Sequence, residues 1–173
     1  NKAEMNAEPQ NKPLIATFDE DGLPYSTDHL SSSFMKNNIP TLAEMTSKAI
    51  SQMKDHKNGF VMQVEAGKVD WAAHGNDISA LLYDQLAFDD AVKIAMDFAQ
   101  KDGNTLVVIT SDHGNANPGL IYGKNVNNNF DRIQLFSQTN EWILQGLNPT
   151  DSISTIKNRI AQANAGISIT EDQ

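Results

Sequence analysis

The 173-residue sequence has no cysteine, which excludes disulfides, thiolate metal sites and a cysteine nucleophile but leaves the compartment open. No apolar run is long enough to span a bilayer. Basic residues are scarce: 13 Lys and Arg face 22 Asp and Glu, for a formal net charge of −9. A nucleic-acid or anionic-membrane partner needs a basic face that displaces counterions, so this balance argues against both. Arginine is rarer still, with Arg132 and Arg159 the only two and both late in the chain. An initiator Met and a signal-peptide pattern are also missing. The chain opens Asn1-Lys2-Ala3-Glu4 and closes Glu171-Asp172-Gln173 just after a structured-looking stretch. Both ends read as cuts, so localisation is not legible here.

What is present suits one α/β domain with a sizeable core. Residues 1–13 are polar, contain two prolines and read as a loop or tail. Leu14 to Phe18 is a short apolar run that fits a buried strand, closed by a turn at Asp19-Glu20-Asp21-Gly22. Residues 23–39 read as irregular. Thr41-Leu42-Ala43-Glu44 is a capping box, and Leu42, Met45, Ala49, Ile50 and Met53 keep helical spacing to about residue 56. Phe60 to Val64 is a second strand. A long helix over about residues 77–101 follows, with Gly103 as its stop. Thr105 to Thr110 is the third and clearest strand.

Strand, long helix, strand is a βαβ unit, which predicts parallel strands and a right-handed crossover. Strands that are apolar throughout, rather than alternating, fit a sheet covered on both faces. Residues 115–140, rich in Asn and Gly, read as a surface excursion. A last amphipathic helix is expected from about Pro149 to Asn164, capped near Asn148 or Thr150, with Ile153, Ile156 and Ile160 inward.

Two clusters carry chemistry. Glu65, Asp70 and His74 follow the second strand; Asp112 and His113 follow the third. In a parallel pair the carboxyl ends share one sheet edge, so Glu65 and Asp112 are expected side by side where α/β proteins bind ligands. Asp70 and His74 are four apart and project from one face of a helical turn. Carboxylate oxygen and imidazole nitrogen are ordinary zinc ligands. Aiming both Asp112 and His113 at one ion needs a bent backbone, which Gly114 permits. Glu65 offers only oxygen and suits a harder ion such as magnesium. A lone Asp-x-x-x-His is more often a solvated face or a cap than a ligand, and the same holds for a lone Asp-His. Their convergence at strand ends favours a metal site. Asp19 to Gly22 reads as a tight turn rather than a calcium loop, because later EF-hand ligands are missing. His29 and His56 read as surface histidines, and Asn127 to Asn129 as loop.

Residues 40–118 resemble the alkaline phosphatase family in PTLAEMTSKAI, GFVMQVEAGKVDWAAHGND and LAFDDAVKIAMDFAQKDGNTLVVITSDHGN. LIATFDEDGLPY extends the likeness weakly. The resemblance implies a three-layer α/β/α fold with a mainly parallel sheet, here a partial domain. Residues 1–118 are then the metal-binding half of the catalytic domain, 119–147 a surface excursion, and 148–173 an inserted helix region with a truncated end. It further implies Asp70 and His74 on a first Zn2+, Asp112 and His113 on a second, and Glu65 on Mg2+. Trp71 falls where relatives place Lys, His or Trp near the phosphate; a packed aromatic beside the site is its plainer reading.

The activity implied for an intact protein is hydrolysis of small phosphate monoesters through a phosphoserine. In the family the serine nucleophile, the phosphate-clamping arginine and an Asp bridging two metals come from segments before this one, and a third histidine from a later one. No serine here matches the nucleophile motif. The chain by itself is therefore expected to bind metal weakly or not at all and to lack turnover. A periplasmic or extracellular location and a homodimer are family expectations. Two alternatives remain. A cofactor-independent phosphoglycerate mutase also carries Asp-x-x-x-His and Asp-His-Gly, although the order Glu65, Asp70, His74 after a capping-box helix fits the phosphatase better. In a non-catalytic metal module the same ligands would form a closed four-ligand site.

Overall fold

The computed structural model describes residues 1–10, 12–115 and 124–170. The elements that position the candidate site form where local chemistry is strongest. Helix α4 (Leu42–Met53) starts at the capping box: Thr41 Oγ1 accepts from the Glu44 amide at 3.2 Å, and Glu44 Oε2 accepts from the Thr41 amide at 2.9 Å. Helix α5 (Gly67–His74) is short, and its buried residues are Ala72 and Ala73. Helix α6 (Ile78–Asp102) is capped by Asp77, whose Oδ1 accepts from the Ala80 amide at 3.0 Å. It stops at Gly103, whose φ of +70° is a left-handed conformation that costs glycine nothing. α6 is the central pillar, packed against α4, α5 and α2 (Ser26–Ser31). Small side chains line this junction: Ala72, Ala73, Ala80 and Ala91 are all buried, which lets helix axes approach closely.

Several sequence expectations are corrected. Residues 2–7, read as tail, form helix α1 (Lys2–Ala7) with its own Asn1–Glu4 capping box. The stretch read as irregular holds α2 and α3 (Ser33–Asn38). His29 is buried rather than on the surface, its Nε2 3.0 Å from the Ile39 carbonyl oxygen. The asparagine run lies within α7 (Val126–Ile133), because Val126, Phe130 and Ile133 keep helical spacing. Residues 116–123 of the expected excursion lie outside the described residues. The last helix, α9 (Ile153–Ala163), is capped by Ser152, and Ile153 is exposed rather than inward.

The expected sheet is not seen among the described residues. Among the described residues there is no β-ladder; residues 14–18, 60–64 and 105–110 form neither helix nor paired strand. Glu65 and Asp112 are therefore not held side by side as strand neighbours. Over residues 60–64 and 105–108 the exposure pattern still alternates. Phe60, Met62 and Val64 are partly covered while Val61 is 97% exposed, and Thr105 and Val107 are partly covered while Leu106 and Val108 are open. Phe60 packs on Phe98 of α6 with ring centroids 6.0 Å apart. One face of each segment is thus sheltered and the other bare, although both faces are apolar.

Helix α8 (Asn140–Gln145) is tied to the pillar by carboxylates. Asp28 on α2 accepts from the Thr139 amide at 2.9 Å and its hydroxyl at 2.8 Å. The second oxygen of Asp77 accepts from the Asn140 amide at 2.6 Å. Asp84, buried in α6, accepts from the Ser26 amide and hydroxyl at 3.2 and 2.8 Å. Burial pushes the Asp84 carboxyl up to about 6, against the pull of the Ser26 hydrogen bonds, and burial likewise raises that of Asp28. Arg159 on α9 closes the carboxyl end of α8: its Nε donates to the Ile143 carbonyl at 2.9 Å, and its Nη2 to that of Trp142.

Candidate metal centre

The candidate site lies where α5 meets the chain just after the 105–111 segment. α5 places Asp70 and His74 one turn apart, with Asp70 Oδ1 3.4 Å from His74 Nε2. From the other side His113 brings its Nε2 to 3.4 Å from the same Asp70 oxygen and 3.5 Å from Asp112 Oδ2. The nearest donor atoms of Asp70, His74 and His113 all lie within 4.8 Å of one another. The two imidazoles stand edge-on, centroids 6.0 Å apart.

These separations test the fit to a metal. Two ligand atoms each about 2.1 Å from one tetrahedral ion stand about 3.4 Å apart. That is the spacing Asp70 keeps to each histidine, and it is longer than a good N–H···O hydrogen bond. His113 Nδ1 lies 3.2 Å from the Gly114 carbonyl. With the proton on Nδ1 donated there, Nε2 is left free to ligate. The donor set, two imidazoles and a carboxylate, is the ordinary zinc set. The site is also open: the side chains of His74, His113 and Asp112 are 65%, 49% and 84% exposed.

The structure thus brings together Asp70, His74 and His113, and reaches Asp112 through His113. Glu65 is outside that set; its carboxylate lies beside Gly67, where an added Cβ would meet Oε1 at 3.1 Å. Sequence reasoning missed Asn115, whose Nδ2 donates to Asp70 Oδ1 at 3.2 Å and steers that carboxylate. The only signal was its place directly after Asp-His-Gly.

Trp71 sits beside the ligands on α5 and is 45% exposed. The Lys68 ammonium lies 3.7 Å from its ring centroid and 4.4 Å from that of Tyr25. Burial lowers the Lys68 pKa against the pull of Glu141, Asp84 and the 19–21 turn, and burial pushes the Tyr25 hydroxyl up to about 12.

The alkaline phosphatase profile matches residues 1–157 of the 173. The chain belongs to the alkaline phosphatase family. It is 40% identical over 100 residues to alkaline phosphatase 3 of Bacillus subtilis, covering 58% of this chain and 20% of that protein. It is 33% identical over 123 residues to the Escherichia fergusonii alkaline phosphatase, covering 62% of this chain and 26% of that one. Its backbone superimposes on the crystal structure of Thermus thermophilus alkaline phosphatase with a TM-score of 0.85 at 28% identity, over 95% of this chain and 35% of the other. The chain therefore has the alkaline phosphatase fold over the part it represents, and it spans about a fifth to a quarter of the length of these curated relatives.

Proposed function

We propose that this chain forms the metal bed of a phosphomonoesterase: the part that holds divalent ions against a phosphate ester while other segments supply the attacking serine. The observation that carries this reading is two donor pairs brought to one rim, Asp70 with His74 at 3.4 Å and Asp112 with His113 at 3.5 Å. Asp70 and His74 are assigned to a first Zn2+ and Asp112 and His113 to a second, with Asp70 lying between the two imidazoles. Glu65 is assigned to Mg2+, a role that requires it to turn from Gly67. When bound, the ions supply Lewis acidity toward phosphoryl oxygens and a strong local positive charge.

The chain's own groups do the rest by position. Asn115 holds the Asp70 carboxylate, and the Gly114 carbonyl fixes the His113 ring. Trp71 stands beside the rim, where the ester binds. The phosphate-clamping arginine is assigned to another segment, because Arg159 is spent closing α8 and Arg132 lies on α7. A mainly parallel sheet completed by further strands is part of the same proposal, and the bare faces of residues 61, 106 and 108 support it. A periplasmic or extracellular location and homodimeric assembly follow only from family membership; among the described residues no helix is long and apolar enough to cross a membrane.

The test is calorimetric titration with Zn2+ and Mg2+, paired with a chromogenic phosphate-ester assay. The expected result is weak Zn2+ binding, reduced in both His74→Ala and His113→Ala, and no turnover by this chain alone. Zn2+ binding unchanged in both His113→Ala and His74→Ala would overturn the site. Turnover by the chain alone would overturn the assignment of the nucleophile elsewhere.

A further inference from the structure

We propose that Lys68 is a positioning residue that fixes the Trp71 indole as one wall of the metal rim; this rests on the metal-bed reading above. Lys68 precedes Trp71 by three residues, so the two side chains are neighbours on α5. With about 100° between successive residues, Trp71 lies about 60° around the helix from His74, on the side between the ligands and Lys68. Left alone, an indole this exposed has several rotamers available. Three contacts select one. The Lys68 ammonium lies over the Trp71 ring, Tyr25 presents a second ring to the same ammonium, and the side-chain-free Gly22 abuts the far edge of the indole. An added Cβ at Gly22 would stand 3.4 Å from Trp71 Cη2.

The ammonium has no hydrogen bond or ion pair among the described residues, so the two rings are its partners. A cation between two aromatic faces is attracted to both ring quadrupoles, and the attraction strengthens as water is excluded. The arrangement therefore sets the angle at which an apolar surface faces the ions, and with it the space left for the non-reacting part of a phosphate ester.

Tryptophan fluorescence reads this directly, because the chain has only two tryptophans. In a Trp142→Phe background Trp71 is the sole reporter. Lys68→Met keeps the length and removes the charge; Lys68→Arg restores a cation. The expected result is a roughly twofold rise in acrylamide quenching for Lys68→Met, largely reversed in Lys68→Arg, with far-ultraviolet circular dichroism unchanged. Tyr25→Leu is expected to move quenching the same way by less. A second arm adds Cu2+, which carboxylate and imidazole ligands bind tightly and which quenches nearby indoles. Its quenching of Trp71 at saturation should fall in Lys68→Met while the Cu2+ midpoint stays put. Acrylamide quenching equal in Lys68→Met and its parent, with Cu2+ still bound, overturns the positioning role alone. Failure of Cu2+ to bind the parent overturns the metal bed, and the proposed role of Trp71 with it.

Discussion

Asp70 and Asp84 sit on consecutive helices, and their surroundings are opposite. Asp70 is 40% exposed on its side chain and faces two imidazoles at 3.4 Å, too far for a good hydrogen bond. Asp84 is buried and accepts from the Ser26 amide and hydroxyl. Buried Asp77 and half-buried Asp28 are likewise filled by backbone amides or hydroxyls. A buried carboxylate is tolerated only with hydrogen-bond partners, so these acids are joints between elements. An exposed carboxylate 3.4 Å from two imidazoles is instead arranged as a ligand for a shared guest. Under the proposed function that guest is a divalent cation.

The sharpest way to break this contrast is to remove one donor from each region. His113→Ala should weaken Cu2+ binding by more than about 100-fold, beyond the range typical of losing an outer-shell partner, and leave apo stability unchanged within error. Isothermal titration with a parallel urea melt checks both. Asp77→Ala should do the reverse. It unpairs the Ala80 and Asn140 amides and should cost about 2–3 kcal/mol in urea unfolding, with the Cu2+ affinity of intact molecules unchanged. If Asp77→Ala weakened metal binding as much as His113→Ala did, the two regions would be one.

A third change sharpens the contrast through pH. The Asp84 carboxyl rises from 3.8 to about 6 on folding, chiefly because it is buried. A raised acid binds its proton more tightly in the folded state, so its contribution to stability is best below about pH 4. That contribution falls as pH climbs toward 6 and is then flat. Asp84→Asn keeps an oxygen for Ser26 and cannot ionise. It should stabilise the chain by about 1–3 kcal/mol at pH 7 and by nothing measurable at pH 4. Equal effects at both pH values in urea melts would contradict the buried-charge account.

How much of this was legible in the sequence depends on the range of each interaction. The capping box at Thr41, the long helix α6 and its stop at Gly103 are local, and all were readable. So was the single-face pairing of Asp70 with His74, which needs only one helical turn. The six-residue helices α1, α2 and α3 carry too little periodicity to see. In α7 the apolar spacing outweighs asparagines that favour turns. The side-by-side placement of Glu65 and Asp112 requires a strand register, which the described residues do not show. His113 needed only a bend after a recognisable segment. The buried state of His29 depends on the Ile39 carbonyl, a contact no spacing rule reveals.

Asn115 gives the smallest and most discriminating test, because it touches the rim without belonging to the donor set. Its amide occupies Asp70 Oδ1 at 3.2 Å, the same oxygen that faces both histidines. If that oxygen binds an ion, Asn115 is an outer-shell partner that fixes the carboxylate's angle. Asn115→Ala should then weaken Cu2+ binding about tenfold, at the low end for such partners. Asn115→Asp should weaken it differently: the donor is lost but an anion is gained, so affinity should recover as ionic strength falls. Were Asp70 merely a solvated acid between two histidines, neither substitution would change metal affinity. The same titrations, run at two salt concentrations, therefore separate a carboxylate held for an ion from one that only happens to lie near imidazoles.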